Sequence, residues 1–346
     1  MTSGKRVPPA LLVMGLILAT GLTACPGKTH TGPGDIKAIM IRPDLKPIGL
    51  YPSAEEEYLV MQTASPGSVN VVYTGRIQQE QMRVLTYQKL AFGDSPKVAA
   101  ALTALQIQML SIPAMEETAL LDLPQAFNAE SIDRMPGKGS WVVTSSDRER
   151  SNVWILAGDP PKFVTSGRTE LPRNLRGRAV DDKTGLLLLT DDTNRLEFFD
   201  LGEMKSVGVI TLPCREVHTD IVAANGLAWV GTREGTIVPI DIEKKAAGDV
   251  IRLGTGKGHV FLTLSGSGSH LGVAVQDLSA GRPPYPTYLK VFLVDAGTRV
   301  QVASTFFEHK SLIKDFTMLG GVETCLVATR SHLLKWDWGH PRPEHP

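Results

Sequence analysis

The sequence predicts an all-β protein in which repeated sheet units close into a ring, and three observations support this prediction. Glycine and proline contribute 33 and 23 of the 346 residues, which favours a chain rich in tight turns over a helical bundle. A β-rich run, an aspartate, a turn and a second β-rich run recur about every 42 residues. Each recurrence divides into four short β-rich runs bounded by turn residues.

The composition excludes several classes of protein. Hydrophobic residues make up 42% and charged residues 21%, which excludes a wholly disordered chain. Lys plus Arg and Asp plus Glu each total 36, so the net charge is zero and no nucleic-acid partner is expected. Three cysteines are too few for a disulfide scaffold. The length alone fits either two domains or one closed ring of repeats.

Residues 1–24 have the organisation of a signal peptide that is removed from the mature protein. Lys5 and Arg6 precede an apolar run from Ala10 to Thr20, which is too short to span ~30 Å of hydrocarbon as a helix. The following Leu22-Thr23-Ala24-Cys25 resembles the bacterial lipobox. This resemblance implies that Cys25 carries a diacylglyceryl lipid and becomes the first mature residue.

Residues 25–35 are predicted to form a flexible, lipidated tether, because they contain several Gly and Pro residues and no hydrophobic period. Residue 26 is a proline and not the aspartate that retains lipoproteins in the inner membrane of enteric-type bacteria. The resemblance therefore implies the outer membrane, facing the periplasm, in a host with two membranes. The expected location is the cell envelope, with residues 36–346 as the folded domain.

The repeat is marked by aspartates that end β-rich runs. These are Asp159, Asp200, Asp241, Asp295 and Asp337. The intervals between them are 41, 41, 54 and 42 residues, and the long interval contains an insertion of about 13 residues around residues 279–286. Without that insertion the period is constant, which indicates a true structural repeat.

Four antiparallel strands per ~42 residues are the signature of a β-propeller blade. Asn225-Gly226 and Glu234-Gly235 add strong hairpin signals. The chain resembles the WD-repeat, YVTN and PQQ-like propeller superfamily. Trp336-Asp337 resembles the dipeptide that ends the third strand of a WD blade, and Gly258-His259 resembles the Gly-His before its first strand. Most blades lack both dipeptides, so the resemblance concerns the architecture of residues 36–346.

The predicted fold is a single seven-bladed β-propeller. Val71–Gly75 and Leu120–Leu123 are the expected third strands of the first two blades. Six blades with an irregular insertion are an alternative, because residues 98–110 could form a helix. The last blade lacks an outer strand, and Ile36–Ile41 is a strand without a blade. Pairing these two removes an exposed edge and closes the ring.

No motif predicts a catalytic, cofactor or metal site. His218 and His259 occupy the same repeat position, which favours a structural role. Gly254–Gly258 lacks the Ser or Thr after its lysine that would hold magnesium, and it leads into a strand instead of the helix of a phosphate-binding loop. Gly266–His270 aligns with Asp182–Gly185 as a hairpin turn and lacks the pattern of a nucleophile elbow.

A candidate binding face lies where the loops between second and third strands and the links between blades are expected to meet. Arginine is common at interaction hot spots. The cations of this face are Arg148, Arg150, Arg195, Arg233, Lys257 and Arg330. A solvated face of mixed charge is the alternative interpretation.

The leading functional hypothesis is a membrane-anchored lipoprotein whose propeller binds another envelope protein or a glycan. The propeller lipoprotein of the outer-membrane-protein assembly machinery is similar in architecture only, and its usual eight blades count against membership. The alternative is an envelope enzyme of the lactonase or quinoprotein type. Such an enzyme needs acidic and amide side chains around a central metal or quinone, and the sequence contains no recurring set of this kind.

Replacing the lipidated residue tests the proposed anchor. We expect Cys25→Ala to abolish lipid labelling and to move the protein from the membrane fraction into soluble or uncleaved forms. Metabolic labelling with a fatty acid followed by fractionation measures both effects. Normal acylation of the variant would contradict the lipobox interpretation.

Overall fold

The computed structural model describes an all-β chain. The described residues are 37–39, 46–53, 57–64, 69–74, 78–124, 128–135, 137–146, 150–172, 175–215, 217–253, 258–278, 287–298, 301–309, 311–319, 324–329 and 332–337. Within these ranges there is no helix, and hence none long and apolar enough to cross a membrane. The predicted signal peptide and tether, including Cys25, lie outside the described residues.

Seven antiparallel sheets follow one another along the chain and form the blades of the propeller. The strands of blades 1 to 4 are β2 (Pro47–Pro52), β3 (Tyr58–Thr63), β4 (Val69–Thr74) and β5 (Gln79–Val84); β6 (Lys89–Phe92), β7 (Val98–Leu102), β8 (Gln106–Ser111) and β9 (Glu116–Asp122); β10 (Asn128–Met135), β11 (Ser140–Ser146), β12 (Arg150–Ala157) and β13 (Lys162–Pro172); and β14 (Gly177–Asp181), β15 (Leu186–Thr190), β16 (Arg195–Asp200) and β17 (Lys205–Thr211).

The remaining strands build blades 5 to 7. They are β18 (Val217–Ala224), β19 (Leu227–Thr232), β20 (Thr236–Asp241), β21 (Ala246–Ala247) and β22 (Ile251–Arg252); β23 (Gly258–Leu264), β24 (His270–Asp277), β25 (Thr287–Asp295) and β26 (Gln301–His309); and β27 (Ile313–Leu319), β28 (Thr324–Thr329), β29 (Leu333–Asp337) and β1 (Lys37–Ile39). The outer strand of blade 5 is split into β21 and β22, which both pair with β20.

The blade count is confirmed as seven, and one predicted strand position is wrong. Residues 98–110 form β7 and most of β8 and not a helix. Leu120–Leu123 was expected in the third strand of blade 2, but β9 (Glu116–Asp122) is the fourth strand. The error arose from dividing the interval between Tyr73 and Asp159 equally. Blade 2 is compact, so its third strand comes earlier.

The repeated aspartates stabilise the turn between the third and fourth strands. One carboxylate oxygen of Asp200 accepts hydrogen bonds from the amides of Gly202 at 2.8 Å and Glu203 at 2.9 Å. Asp241 accepts from Lys244 at 2.9 Å, and Asp295 accepts from Thr298 at 2.7 Å. An aspartate that caps its own turn fixes the exit of the third strand, which explains why this residue marks the repeat.

The two ends of the domain close the ring, as predicted. β1 pairs antiparallel with β29, with Lys37 opposite Lys335 and Ile39 opposite Leu333. β1 therefore supplies the outer strand of blade 7, beside three strands from the carboxyl end of the chain.

The apolar core lies between neighbouring blades. One cluster joins Leu188 of blade 4 to Val230 of blade 5, and another joins Met61 of blade 1 to Leu326 of blade 7. All four side chains are fully buried. Since each sheet buries both faces against its neighbours, a blade is stable only within the closed ring.

A polar side chain also bridges every junction between blades. In the order of the junctions, from blades 1 and 2 to blades 7 and 1, these residues are Gln62, Asp94, Glu197, Asp181, Asp220, Gln276 and Asp315. The closing bridge is a 2.7 Å bond from the Leu50 amide to Asp315. Burial raises the pKa of the Asp315 carboxyl, and the Leu50 hydrogen bond and the charge of Lys89 oppose this rise.

Cys214 and Cys325, the cysteines of the described residues, form no disulfide, as predicted. Cys214 follows blade 4, and Cys325 is fully buried in blade 7. Burial, aided by the nearby Glu234 carboxylate, raises the pKa of the Cys214 thiol to about 11.

Removing the closing strand tests the ring. We expect deletion of residues 36–42 to lower the melting temperature by roughly 5 °C or more and to promote aggregation, because β29 becomes an exposed edge. Circular dichroism and light scattering measure these effects, and deletion of tether residues 28–31 is the control. Equal melting of both deletions would contradict closure by β1.

Candidate functional site

The ring has two chemically distinct ends, which follow from strand direction. The turns between first and second strands and between third and fourth strands lie at one end, which we name the turn end. The loops between second and third strands and the links between blades lie at the other, which we name the loop end. Because every blade repeats the same strand order, each end collects equivalent segments from all the blades.

The described cations of the predicted binding face lie at the loop end. Arg150 and Arg195 begin the third strands β12 and β16, and Arg233 lies between β19 and β20. Arg150 is exposed and Arg233 is half-buried. The other three predicted residues, Arg148, Lys257 and Arg330, lie outside the described residues.

Arg195 has a structural partner in Asp191 of the same loop. The Arg195 guanidinium lies 2.7 Å from the Asp191 carboxylate, whose side chain is fully buried. Asp191 also accepts hydrogen bonds from the backbone amides of Thr193 at 2.9 Å and Arg195 at 3.0 Å. Burial opposes ionisation of Asp191, yet these hydrogen bonds outweigh it and lower the pKa of the carboxyl. The Asp191 carboxylate therefore neutralises much of the charge of Arg195.

Hydroxyl groups organise the equivalent loops of other blades. The Thr103 hydroxyl accepts from the Gln106 amide at 3.0 Å, and Thr329 accepts from the His332 amide at 3.0 Å. Thr232 accepts from the Thr236 amide at 3.2 Å. These bonds at the ends of second strands hold the loop end in short, defined turns.

The turn end contains a cavity that the sequence analysis did not identify. Its volume is about 390 Å³, and all seven blades contribute to its lining. We name it the turn-end cavity. Its lining includes six apolar residues on the first strands of six blades, which we name the floor residues: Leu50, Leu90, Ile132, Val180, Leu264 and Met318.

Polar residues follow the floor residues along the chain and form the rim of the turn-end cavity. Ser53 follows the end of β2, Asp182 follows β14, Asn225 follows β18 and Ser265 follows β23. Asp182 and Asn225 are exposed, whereas Ser53 and Ser265 are buried. The lining of the turn-end cavity is therefore a mixture of apolar and polar residues.

The charges at this rim are unequal. Asp133 and Asp182 line the turn-end cavity on the neighbouring blades 3 and 4, and Arg134 is the cation of the lining. The Arg134 guanidinium lies 3.9 Å from the carboxylate of Asp94. Lys183, next to Asp182, pairs with Glu243 at 2.7 Å. Blades 3 and 4 thus give one side of the mouth an acidic character.

The side of the mouth formed by blade 6 carries hydroxyl groups. The hydroxyls of Ser265 and Ser267 lie 3.2 Å apart, and those of Ser267 and Ser269 lie 2.7 Å apart. The Ser269 hydroxyl lies 2.8 Å from Nδ1 of His270. The antiparallel pairing of β23 with β24 and the bond from the Gly268 amide to the Ser265 carbonyl confirm that residues 266–270 belong to a hairpin turn.

A charged pair lies on the innermost strands between blades 3 and 4. The guanidinium of Arg178 on β14 donates to Glu130 on β10 at 3.0 Å, and both side chains are largely buried.

The described residues contain no group of three His, Cys, Asp or Glu side chains placed to hold a metal ion. His218 and His259 are each the second residue of a first strand, in agreement with their predicted equivalence.

Only part of this site can be predicted from the sequence. The alternation of strands and turns places the predicted cations at one end of the ring, as the structure confirms for Arg150, Arg195 and Arg233. The turn-end cavity depends on the convergence of seven distant strand ends. No local pattern of residues marks it in the sequence, because its lining residues come from all seven blades.

Replacing the buried carboxylate at the loop end tests its structural role. We expect Asp191→Asn to lower the free energy of unfolding at neutral pH by about 1–3 kcal/mol, because charge-assisted hydrogen bonds are lost. The lowered pKa means that the Asp191 contribution is present above its unfolded pKa of about 3.9 and is lost as the pH falls through the folded value.

The measurement is denaturant unfolding at neutral and acidic pH, and the control is Asp192→Asn at the adjacent exposed residue. The difference between wild type and Asp191→Asn should shrink in acid. A difference that is independent of pH would contradict the ionised role of Asp191.

A search of protein-family models finds no match for the chain, and a search of curated proteins finds none either. The geometry supports a seven-bladed β-propeller, consistent with a WD-, YVTN- or PQQ-like architecture.

Proposed function

We propose that this protein is a lipid-anchored component of the cell envelope and that its propeller is a binding module for another envelope protein. The observation that supports this most directly is the turn-end cavity, which all seven blades line with both apolar and polar residues. Binding sites commonly have this composition, since apolar surface supplies affinity and a few polar groups supply orientation.

The rigidity of the ring supports a binding role. The turn-end cavity is lined by strand ends and tight turns, and polar side chains tie each blade to the next. A site on such a frame loses little conformational freedom when a ligand binds, so more of the contact energy contributes to affinity.

The anchor is proposed from the lipobox at residues 22–25. A lipid on Cys25 would keep the ring at a membrane surface and raise its effective concentration near other envelope proteins. The loop end, where Arg150 is exposed, is the alternative contact surface.

Affinity capture from detergent-solubilised envelope, after chemical cross-linking, tests this proposal. We expect the lipidated wild-type protein to retain a defined partner and Ser267→Trp to lose at least about tenfold of it, because the indole covers the mouth of the turn-end cavity. The control is Arg150→Gln at the loop end, which should retain the partner.

The opposite pattern would assign binding to the loop end. The absence of any partner would contradict the binding role. Metal analysis of the same preparation adds a second test, since a stoichiometric bound ion would favour the enzyme alternative.

A further inference from the structure

The first strands of the seven blades surround the axis of the ring. Each first strand contacts the first strands of both neighbouring blades, which makes these seven strands the innermost elements of the propeller. They begin at the loop end, and the apolar clusters between blades cover the faces of the sheets. An exposed side chain near the start of a first strand therefore lies around the axis at the loop end. We name this region the loop-end opening.

The second residue of the first strand occupies the same place in five blades. It directly follows the residue that pairs with the last residue of the second strand. These second residues are Ile48, Arg178, His218, His259 and Lys314. Blade 2 contributes Lys89, the first residue of β6, and blade 3 contributes Glu130, the third residue of β10. Most of these positions thus carry a lysine, an arginine or a histidine.

Two lysines of this set are available to a ligand. Lys89 and Lys314 are exposed, and neither forms an ion pair within the part of the chain that the structure describes. Burial raises the pKa of the Asp315 carboxyl, and the charge of Lys89 opposes this rise, so blades 2 and 7 bring these groups close together. Both oxygens of Asp315 accept backbone amide protons, from Leu50 at 2.7 Å and from Phe316 at 2.8 Å. The lysines therefore leave positive charge at the loop-end opening.

Arg178 adds a hydrogen-bond donor at the start of β14. Its guanidinium donates to Glu130 at 3.0 Å, and its side chain is 12% exposed. The Nε atom of Arg178 is buried and has no hydrogen-bond partner among the described residues. Because buried donors in proteins are nearly always bonded, this position favours an acceptor that enters from the loop-end opening. Glu130 offsets the charge of Arg178, so the excess of positive charge comes from the lysines.

We propose that the loop-end opening binds a phosphate-bearing anion, held by the ammonium groups of Lys89 and Lys314 and by the Nε–H of Arg178. Lysine binds phosphate as a point charge, and cations from several blades around one opening reinforce each other's attraction for an anion. This site is additional to the turn-end cavity and lies at the opposite end of the ring.

Calorimetric titration of the lipidated full-length protein in nonionic detergent tests the site, with inorganic pyrophosphate as the probe. We expect Lys314→Gln to weaken binding about threefold, as for one solvated ion pair. The double variant Lys89→Gln/Lys314→Gln should weaken binding about tenfold, because contributions from separate blades add. Arg178→Lys keeps the charge beside Glu130 but removes the Nε donor, and should weaken binding about fivefold.

Lys97→Gln is the matched control for the lysine variants. Lys97 is also an exposed lysine of blade 2, but it lies in the turn between β6 and β7 at the turn end. Its replacement should leave the affinity for pyrophosphate unchanged. Thermal unfolding of every variant verifies that each one is folded before its affinity is compared.

A second compound distinguishes the source of the phosphate. Glycerophosphoglycerol is the headgroup of an anionic phospholipid without its acyl chains. Binding of this compound more tightly than pyrophosphate would support the anion site and assign it to a lipid headgroup, and weaker binding would assign it to a free phosphate compound.

Two outcomes would overturn the inference. These are the absence of binding by both compounds and equal weakening of binding by Lys314→Gln and Lys97→Gln. Either result would leave the proposed function intact, since loss of an envelope partner with Ser267→Trp tests the turn-end cavity separately.

Discussion

The structure depends on the closure of the ring by the pairing of β1 with β29. Each blade buries both faces of its sheet, so an open ring would expose an apolar face as well as a strand edge. Among the described residues, three, Lys37–Ile39, form the closing strand. These residues stabilise the whole ring, because the interface between blades 7 and 1 persists only if blade 7 is complete. Asp315 supports the same junction from the inner strand by binding the amide of Leu50.

The inner bridges connect the stability of the ring to the shape of the turn-end cavity. The strands that carry Asp181, Asp220 and Asp315 are first strands, and their carboxylates accept amide protons from the following blade. A buried acceptor without a donor would cost free energy, so each of these contacts fixes the position of one blade relative to the next. The ends of the same strands line the turn-end cavity, whose shape is therefore set by the spacing of the blades.

Structural features that depend on local chemistry could be predicted from the sequence. Asp200, Asp241 and Asp295 mark the repeat because each carboxylate caps a turn within its own chain segment. The fourth strand of blade 2 was misplaced because that blade has no such aspartate at the end of its third strand, where Ser111 stands. The ion pair of Arg195 with Asp191 was also missed, because it depends on the burial of Asp191. The turn-end cavity has no local signature, since its lining comes from residues more than 200 positions apart, such as Leu50 and Met318.

Hydrogen exchange of the intact protein tests ring closure most directly. The account predicts that the paired amides of Lys37–Ile39 and Leu333–Lys335 exchange as slowly as those of an inner blade strand such as Leu186–Thr190, because opening the closure unfolds the ring. Fast exchange in Lys37–Ile39 alongside full protection of Leu186–Thr190 would contradict it, since the ring would then remain folded without its closing strand.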